Sequence, residues 1–213
     1  MKKRRYEQKK RAEGQDRTRA RIVEAIVALH EEVGPAATTV SAIADRAGVQ
    51  RLTVYRHFPD EAAQYAACSA HWIGQHPLPD PTLWRTQTGW QARTRAALAA
   101  IYSWYRRNTP MLASIFHDAS GPRATAEMLA PIENFQRFYA AVEQDVLEGC
   151  PFANSKAFRM TLSHVLAFAT WHGLAKDATD EELVALAMRW LEGSGSPSSA
   201  ERLEGPSEAR GRA

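Results

Sequence analysis

Six side chains between positions 50 and 57 could hydrogen-bond to a polyanion with readable edges: Gln50, Arg51, Thr53, Tyr55, Arg56 and His57. Arginine presents two parallel donors that suit the O6/N7 edge of guanine, and glutamine pairs a donor with an acceptor that suits adenine. Each good pair is worth about 1–3 kcal/mol of discrimination. Gln50 and Arg51 are therefore the expected base readers. Thr53, Tyr55 and His57 suit phosphate, which fixes register without carrying sequence information. Arg56 can serve either task. Other chemistries have poor material here. There is no Ser/His/Asp spacing, no glycine-rich phosphate loop and no Cys/His cluster. His164 and His172 lie two turns apart on a helix and do not make a metal site. No enzyme, no cofactor and no metal is expected.

These side chains need a short, well-held helix. The spacing predicts one helix over about residues 40–47 and a second over 51–58, with Thr38 or Thr39 placed to cap the first. Ala44 is small where the two would meet. Gly48 ends the first helix where a left-handed residue is cheap only for glycine. Val54, with Val40 and Ile43, supplies an apolar plug. Small, glycine and aliphatic at 44, 48 and 54 is the helix-turn-helix pattern. Upstream, Ile22, Ile26, Leu29 and Val33 make one apolar stripe, stopped by Gly34-Pro35. Downstream, Pro59 closes the second helix and Asp60 caps the next, over 61–74.

With these neighbours the motif becomes specific. Residues 19–34, the helix and turn over 39–48, and above all Thr53-Val54-Tyr55-Arg56-His57-Phe58-Pro59-Asp60 resemble the DNA-binding domain of the TetR (tetracycline repressor) family. The resemblance spans roughly residues 15–75. Beyond it the similarity is one of architecture, in the number and order of long helices. It implies an all-α chain, with an N-terminal three-helix helix-turn-helix domain and a C-terminal helical bundle that binds a ligand and dimerises. It also implies DNA contacts at Thr39, Gln50, Arg51, Thr53, Tyr55 and His57. Ser41 stands where relatives often carry a base-reading arginine, and can reach only phosphate or nothing. Glu61, followed by alanines, stands where relatives commonly carry a phosphate-gripping lysine.

Charge agrees with a polyanion partner at one end. Through Asp60 there are 13 Lys/Arg against 8 Asp/Glu, and beyond it 14 against 16. Residues 1–14 read as a basic arm, disordered when free, lying along phosphates or entering a minor groove. On composition alone a solubilising tail is an equal alternative. Cys68 and Cys150 are too few for a disulfide framework, and no run approaches the roughly 18 apolar residues of a membrane span. A cytoplasmic protein without membrane contact is expected.

The prolines at 77, 79 and 81 cannot sit in a helix, which places a domain boundary near residue 76. The body, 76–192, reads as helices over 91–108, 110–117, 124–147, 154–174 and 180–191. Residues 193–213 read as a disordered tail. The body is rich in rings, which serve a core as readily as a pocket. The family resemblance implies a ligand cavity, for which Trp72, Trp104, Phe116, Phe135, Phe138 and Trp171 are the expected lining. His71, His117, His164 or His172 would be polar contacts. Apolar stripes at Leu162, Val165, Leu166 and Ala169, and at Leu183, Leu186, Ala187 and Trp190, are expected to pair with their mates in a homodimer; the alternative is a core face within one chain. A dimer also suits a palindromic operator, because one short helix reads too few bases. The resulting expectation is a transcriptional regulator, a repressor released by a small, largely apolar or aromatic effector. A helical ligand-binding protein with a vestigial DNA head, or an activator, remains the alternative.

Overall fold

The computed structural model describes residues 2–122 and 124–195, and among them regular structure is helical, with no strand. The order is α1 (Lys2–Val33), a 3₁₀ turn (Pro35–Ala37), α2 (Val40–Ala47), α3 (Arg51–His57), α4 (Glu61–Gln75) and α5 (Thr82–Arg85). Then come α6 (Trp90–Ala119), α7 (Ala126–Leu147), α8 (Lys156–Leu166), α9 (Phe168–Leu174) and α10 (Asp180–Gly195). Two compact units result. One joins Met1–Leu78 to Trp104–Phe138, and the other joins Pro79–Ser103 to the chain from Tyr139 onward. The chain passes from the first unit to the second after Leu78 and crosses again within α6 and α7, which each supply residues to both. Among the described residues no helix is long and apolar enough to cross a membrane.

In the first unit, Ile22, Ile26 and Leu29 of α1 pack on Ile43, Ala44 and Ala47 of α2, on Val54 and Phe58, and on Cys68 of α4. Fully burying an aliphatic or phenyl side chain is worth about 1.5–3 kcal/mol, so this cluster dominates the local stability. Val33, the last member of the expected stripe, is 54% exposed, since the helix ends at Gly34 with φ 84°. Glu32 and Arg46 clamp α1 to α2 through two hydrogen bonds of 2.6 and 2.5 Å. The pair is exposed and adds little energy. The Arg19 guanidinium lies 4.8 Å over the Phe58 ring, a cation–π contact to the end of α3.

Three expectations about elements are corrected. The basic arm is not a coil: α1 begins at Lys2. Lys, Arg, Glu, Gln and Ala favour a helix, no proline interrupts, and Lys9 and Glu13 pair at i, i+4. The helix expected to stop before Pro110 runs through it. Proline lacks the N–H that would reach the Arg106 carbonyl, and the Thr109 hydroxyl donates to the carbonyls of Tyr105 (2.9 Å) and Arg106 (3.3 Å). Conversely, the helix expected over 154–174 breaks at Ala167, which is extended at φ −69°, ψ 133°. The buried Tyr102 hydroxyl donates to the Val165 carbonyl at 2.8 Å, satisfying a group that the break would otherwise orphan.

In the second unit, Trp84 Nε1 and Arg85 Nε both donate to Asp145, while Trp90 meets Phe152 and Phe158 edge-on. The expected dimer stripes turn mostly inward. Leu162, Val165 and Leu166 of α8, and Leu183 and Ala187 of α10, are buried within the chain itself. Leu186 is half-buried, and only Ala169 and Trp190 are exposed. Gly193, Ser194 and Gly195 close α10, and the rest of the expected tail, from 196 on, lies outside the described residues.

Candidate nucleic-acid interface and apolar cavity

The turn between α2 and α3 is built as its residues require. Gly48 is left-handed at φ 62°, ψ 44°. Its N–H donates to the Asp45 carbonyl, and the Val49 N–H donates to the Ala44 carbonyl. This pair of bonds is a Schellman closure, which satisfies the last carbonyls of α2 and aims the chain into α3. Thr39 Oγ1 accepts from the Ala42 N–H at 3.2 Å, and Asp60 Oδ1 accepts from the Ala63 N–H at 2.8 Å, so α2 and α4 both start on a side-chain cap.

Val54 is fully buried and holds α3 by one face. The opposite face presents Gln50, Arg51, Tyr55 and Arg56 to solvent, with Thr53 and His57 half-buried at its margins. Thr39 is exposed and already used as a cap, and Ser41 is half-buried, its Oγ accepting from Arg51 at 3.2 Å. Arg51 is therefore held beside Ser41 at the start of the face. Leu52, which the polar pattern passed over, is 67% exposed there. Glu61 is exposed in the first turn of α4, where it suits the helix dipole but opposes a phosphate.

The same unit contains a small cavity of about 60 Å³, partly open to solvent. Of the expected lining, Trp72, Trp104 and Phe135 form its wall. The indoles of Trp72 and Trp104 meet edge to face at 5.9 Å, and Trp104 lies 5.8 Å from Phe135. Phe116 packs on Phe135 at 5.7 Å without entering the wall, and the half-buried Phe138 is also outside it. Trp171 belongs to the other unit, where its Nε1 donates to Asp180 at 3.1 Å.

The polar contacts differ from expectation. His117 is exposed, and His71 lies outside the wall against Gln75. His164 and His172 belong to the second unit, facing Thr170 and stacking on Phe168. The wall instead carries His30, Tyr65, Cys68 and His76, with Met111 and Met128. His30 continues the i, i+4 register of Ile22 and Ile26, the one signal that could have found it. Burial lowers its pKa to about 4, opposed by nearby Asp118, and its Nδ1 lies 3.4 Å from the Cys68 thiol. Burial also pushes that thiol up to about 12, with Glu31 adding to the rise. His76 stacks on Trp72 at 4.7 Å and donates to its carbonyl. Among the described residues no group of three or more His, Cys, Asp or Glu could hold a metal.

No curated protein matches the chain. Residues 22–66 match the family model described as bacterial regulatory proteins, tetR family. The fold is similar to a TetR-like transcriptional regulator from Rhodococcus sp. RHA1, with a TM-score of 0.60 and 14% identity over 82% of this chain and 93% of that one. It is similar too to the fatty acid degradation regulator FadR from Bacillus halodurans (TM-score 0.55, 17% identity, 83% and 95% covered). A TetR family transcription regulator from Marinobacter aquaeolei VT8 gives a TM-score of 0.53 at 19% identity, covering 86% and 97%. The helix-turn-helix domain thus matches tetR-family bacterial regulatory proteins over residues 22–66, and the all-helical fold is similar to that of TetR-like transcriptional regulators.

Proposed function

We propose that the chain is a cytoplasmic, dimeric repressor that binds a palindromic operator and leaves it when a small, largely apolar or aromatic effector occupies the cavity. The reading rests above all on the exposed polar face of α3, which a buried Val54 and the Gly48 closure hold rigidly. Gln50 and Arg51 read bases there; Thr39, Ser41, Thr53, Tyr55 and His57 meet phosphates, and Arg56 serves either. Residues 15–75 act as the reading head and 76–192 as the responsive body. The helical arm ahead of them lies on the DNA backbone.

Coupling runs through α4. It starts at Glu61, capped by Asp60 soon after the reading helix, and carries Tyr65, Cys68 and Trp72 into the cavity wall. An effector that prefers one placement of α4 shifts the population toward conformers whose two reading helices no longer match the groove spacing, and operator binding weakens effector binding by the same factor.

The test is the combined R51A/T53A/Y55A variant, assayed on fragments of the protein's own promoter. Retained folding with at least a hundredfold loss of affinity supports the reading; unchanged affinity overturns it. Glu61 favours a second reading, a ligand-binding protein with a vestigial head, because it opposes a phosphate at the start of α4. Sequence-specific retention on genomic fragments separates the two. Where the operator sits relative to the promoter decides between repression and activation.

A further inference from the structure

Trp104 lines the cavity, is 4% exposed, and its Nε1–H finds no acceptor among the described residues. A buried donor left unpaired is costly, which makes it the place where a bound molecule gains most from an acceptor. The other indole in the wall is already used: Trp72 Nε1 donates to Glu31 at 3.3 Å. Taking the cavity as the effector site, as proposed above, we infer that the effector is an uncharged ring compound whose carbonyl-type oxygen accepts a hydrogen bond from Trp104 Nε1.

Charge around the cavity supports the uncharged form. No lysine or arginine is among the residues that line it, so a carboxylate or phosphate would have no countercharge. His30 cannot supply one, since burial keeps its ring neutral at ordinary pH. Two acidic groups bonded beside the wall are Glu31, which accepts from Trp72, and Asp118, which accepts from the Ala36 N–H at 2.7 Å. They repel an anion, and neither carboxylate is among the residues that line the cavity, so a cation would lack a direct partner there. The rings of Trp72, Trp104 and Phe135 offer flat apolar surface to a planar ligand.

The experiment measures binding of four matched probes to the full chain: acetophenone, ethylbenzene, benzoate and 1-phenylethylamine, together with the same four groups carried on biphenyl. The ketone should exceed the hydrocarbon by roughly threefold to tenfold, and W104F should abolish that advantage while the hydrocarbon still binds. The anion and the amine should bind at least tenfold more weakly than the ketone. A preferred anion or amine, a ketone no better than the hydrocarbon, or an advantage that survives W104F overturns the inference while leaving the effector site standing. If none of the eight binds, the effector-site reading itself falls, and the inference with it. Should W104F not fold, the indole N–H resonances of the six tryptophans in the unaltered chain decide. One must shift with the ketone and not with the hydrocarbon, and no such ketone-selective shift overturns the inference.

Discussion

Leu52 sits in the first turn of α3 between Arg51 and Thr53, and a large apolar side chain at that place has no use for water. In a major groove it meets one feature well, the methyl group of thymine. Replacing single thymines by uracil across the operator should therefore locate one position where the unaltered protein loses about threefold to tenfold in affinity. L52S should bind both versions equally at that position, measured by fluorescence anisotropy at fixed salt. Equal binding by the unaltered protein at every position removes Leu52 from the reading set. His30 makes a different kind of prediction, about stability. Its pKa falls from 6.5 to about 4 on folding, by burial, so between those values the unfolded chain holds more protons than the folded one. Stability then rises with pH across that window and drains away as pH falls from about 6.5 toward 4, by up to about 1.4 kcal/mol per unit. Urea melts at pH 7, 6 and 5 should show that slope, and H30L should flatten it. A slope that is the same in both proteins would assign the acid sensitivity to other groups.

At the level of elements, α1 carries a consequence that its composition alone conceals. A basic helix with Lys9, Lys10, Arg11, Arg17, Arg19 and Arg21 can lie along a phosphate backbone as a fixed rod, with part of its ordering entropy already spent before binding. Removing residues 2–11 should flatten the plot of log affinity against log salt by about 0.9 for each phosphate the shortened helix no longer reaches. An unchanged slope leaves the arm a solubilising extension. The elements that position the reading face are the most legible ones. Gly48, Thr39, Asp60 and Val54 each do a local job that residue type and spacing reveal, and the structure uses all four in that way. What misleads is local grammar overruled from outside it. Pro110 is an ordinary stop signal, neutralised by the hydroxyl of Thr109 beside it. Ala167 is a good helix former, yet the helix breaks there, and the Tyr102 hydroxyl that takes up the freed carbonyl of Val165 is 63 residues away from it in sequence. The cavity wall is half legible. Trp72, Trp104 and Phe135 announce themselves as rings, whereas His30 and Tyr65 come from elements read as scaffold for the reading face.

For the whole molecule, the proposed dimer needs a surface that brings two reading helices onto one operator. The aliphatic rows of α8 and α10 cannot do it, because they are spent in the core of their own chain. What those helices leave outside is a patch made by Met160, 63% exposed, Thr161, His164 and Trp190, 38% exposed, with the His164 and Trp190 rings 6.5 Å apart. An exposed methionine and indole on adjacent helices suit a self-complementary contact, in which the same patch on two copies meets across a twofold axis. M160E with W190E would place four like charges in that contact. Light scattering should then report a monomer at concentrations where the unaltered chain is a dimer, with the helical circular dichroism unchanged. Operator affinity should fall to that of a half-site, a drop of several orders of magnitude, because the second reading helix no longer arrives with the first. Both proteins dimeric with equal operator affinity would move the interface off this patch. A monomer that still binds the full operator at undiminished affinity would remove the need for a second copy.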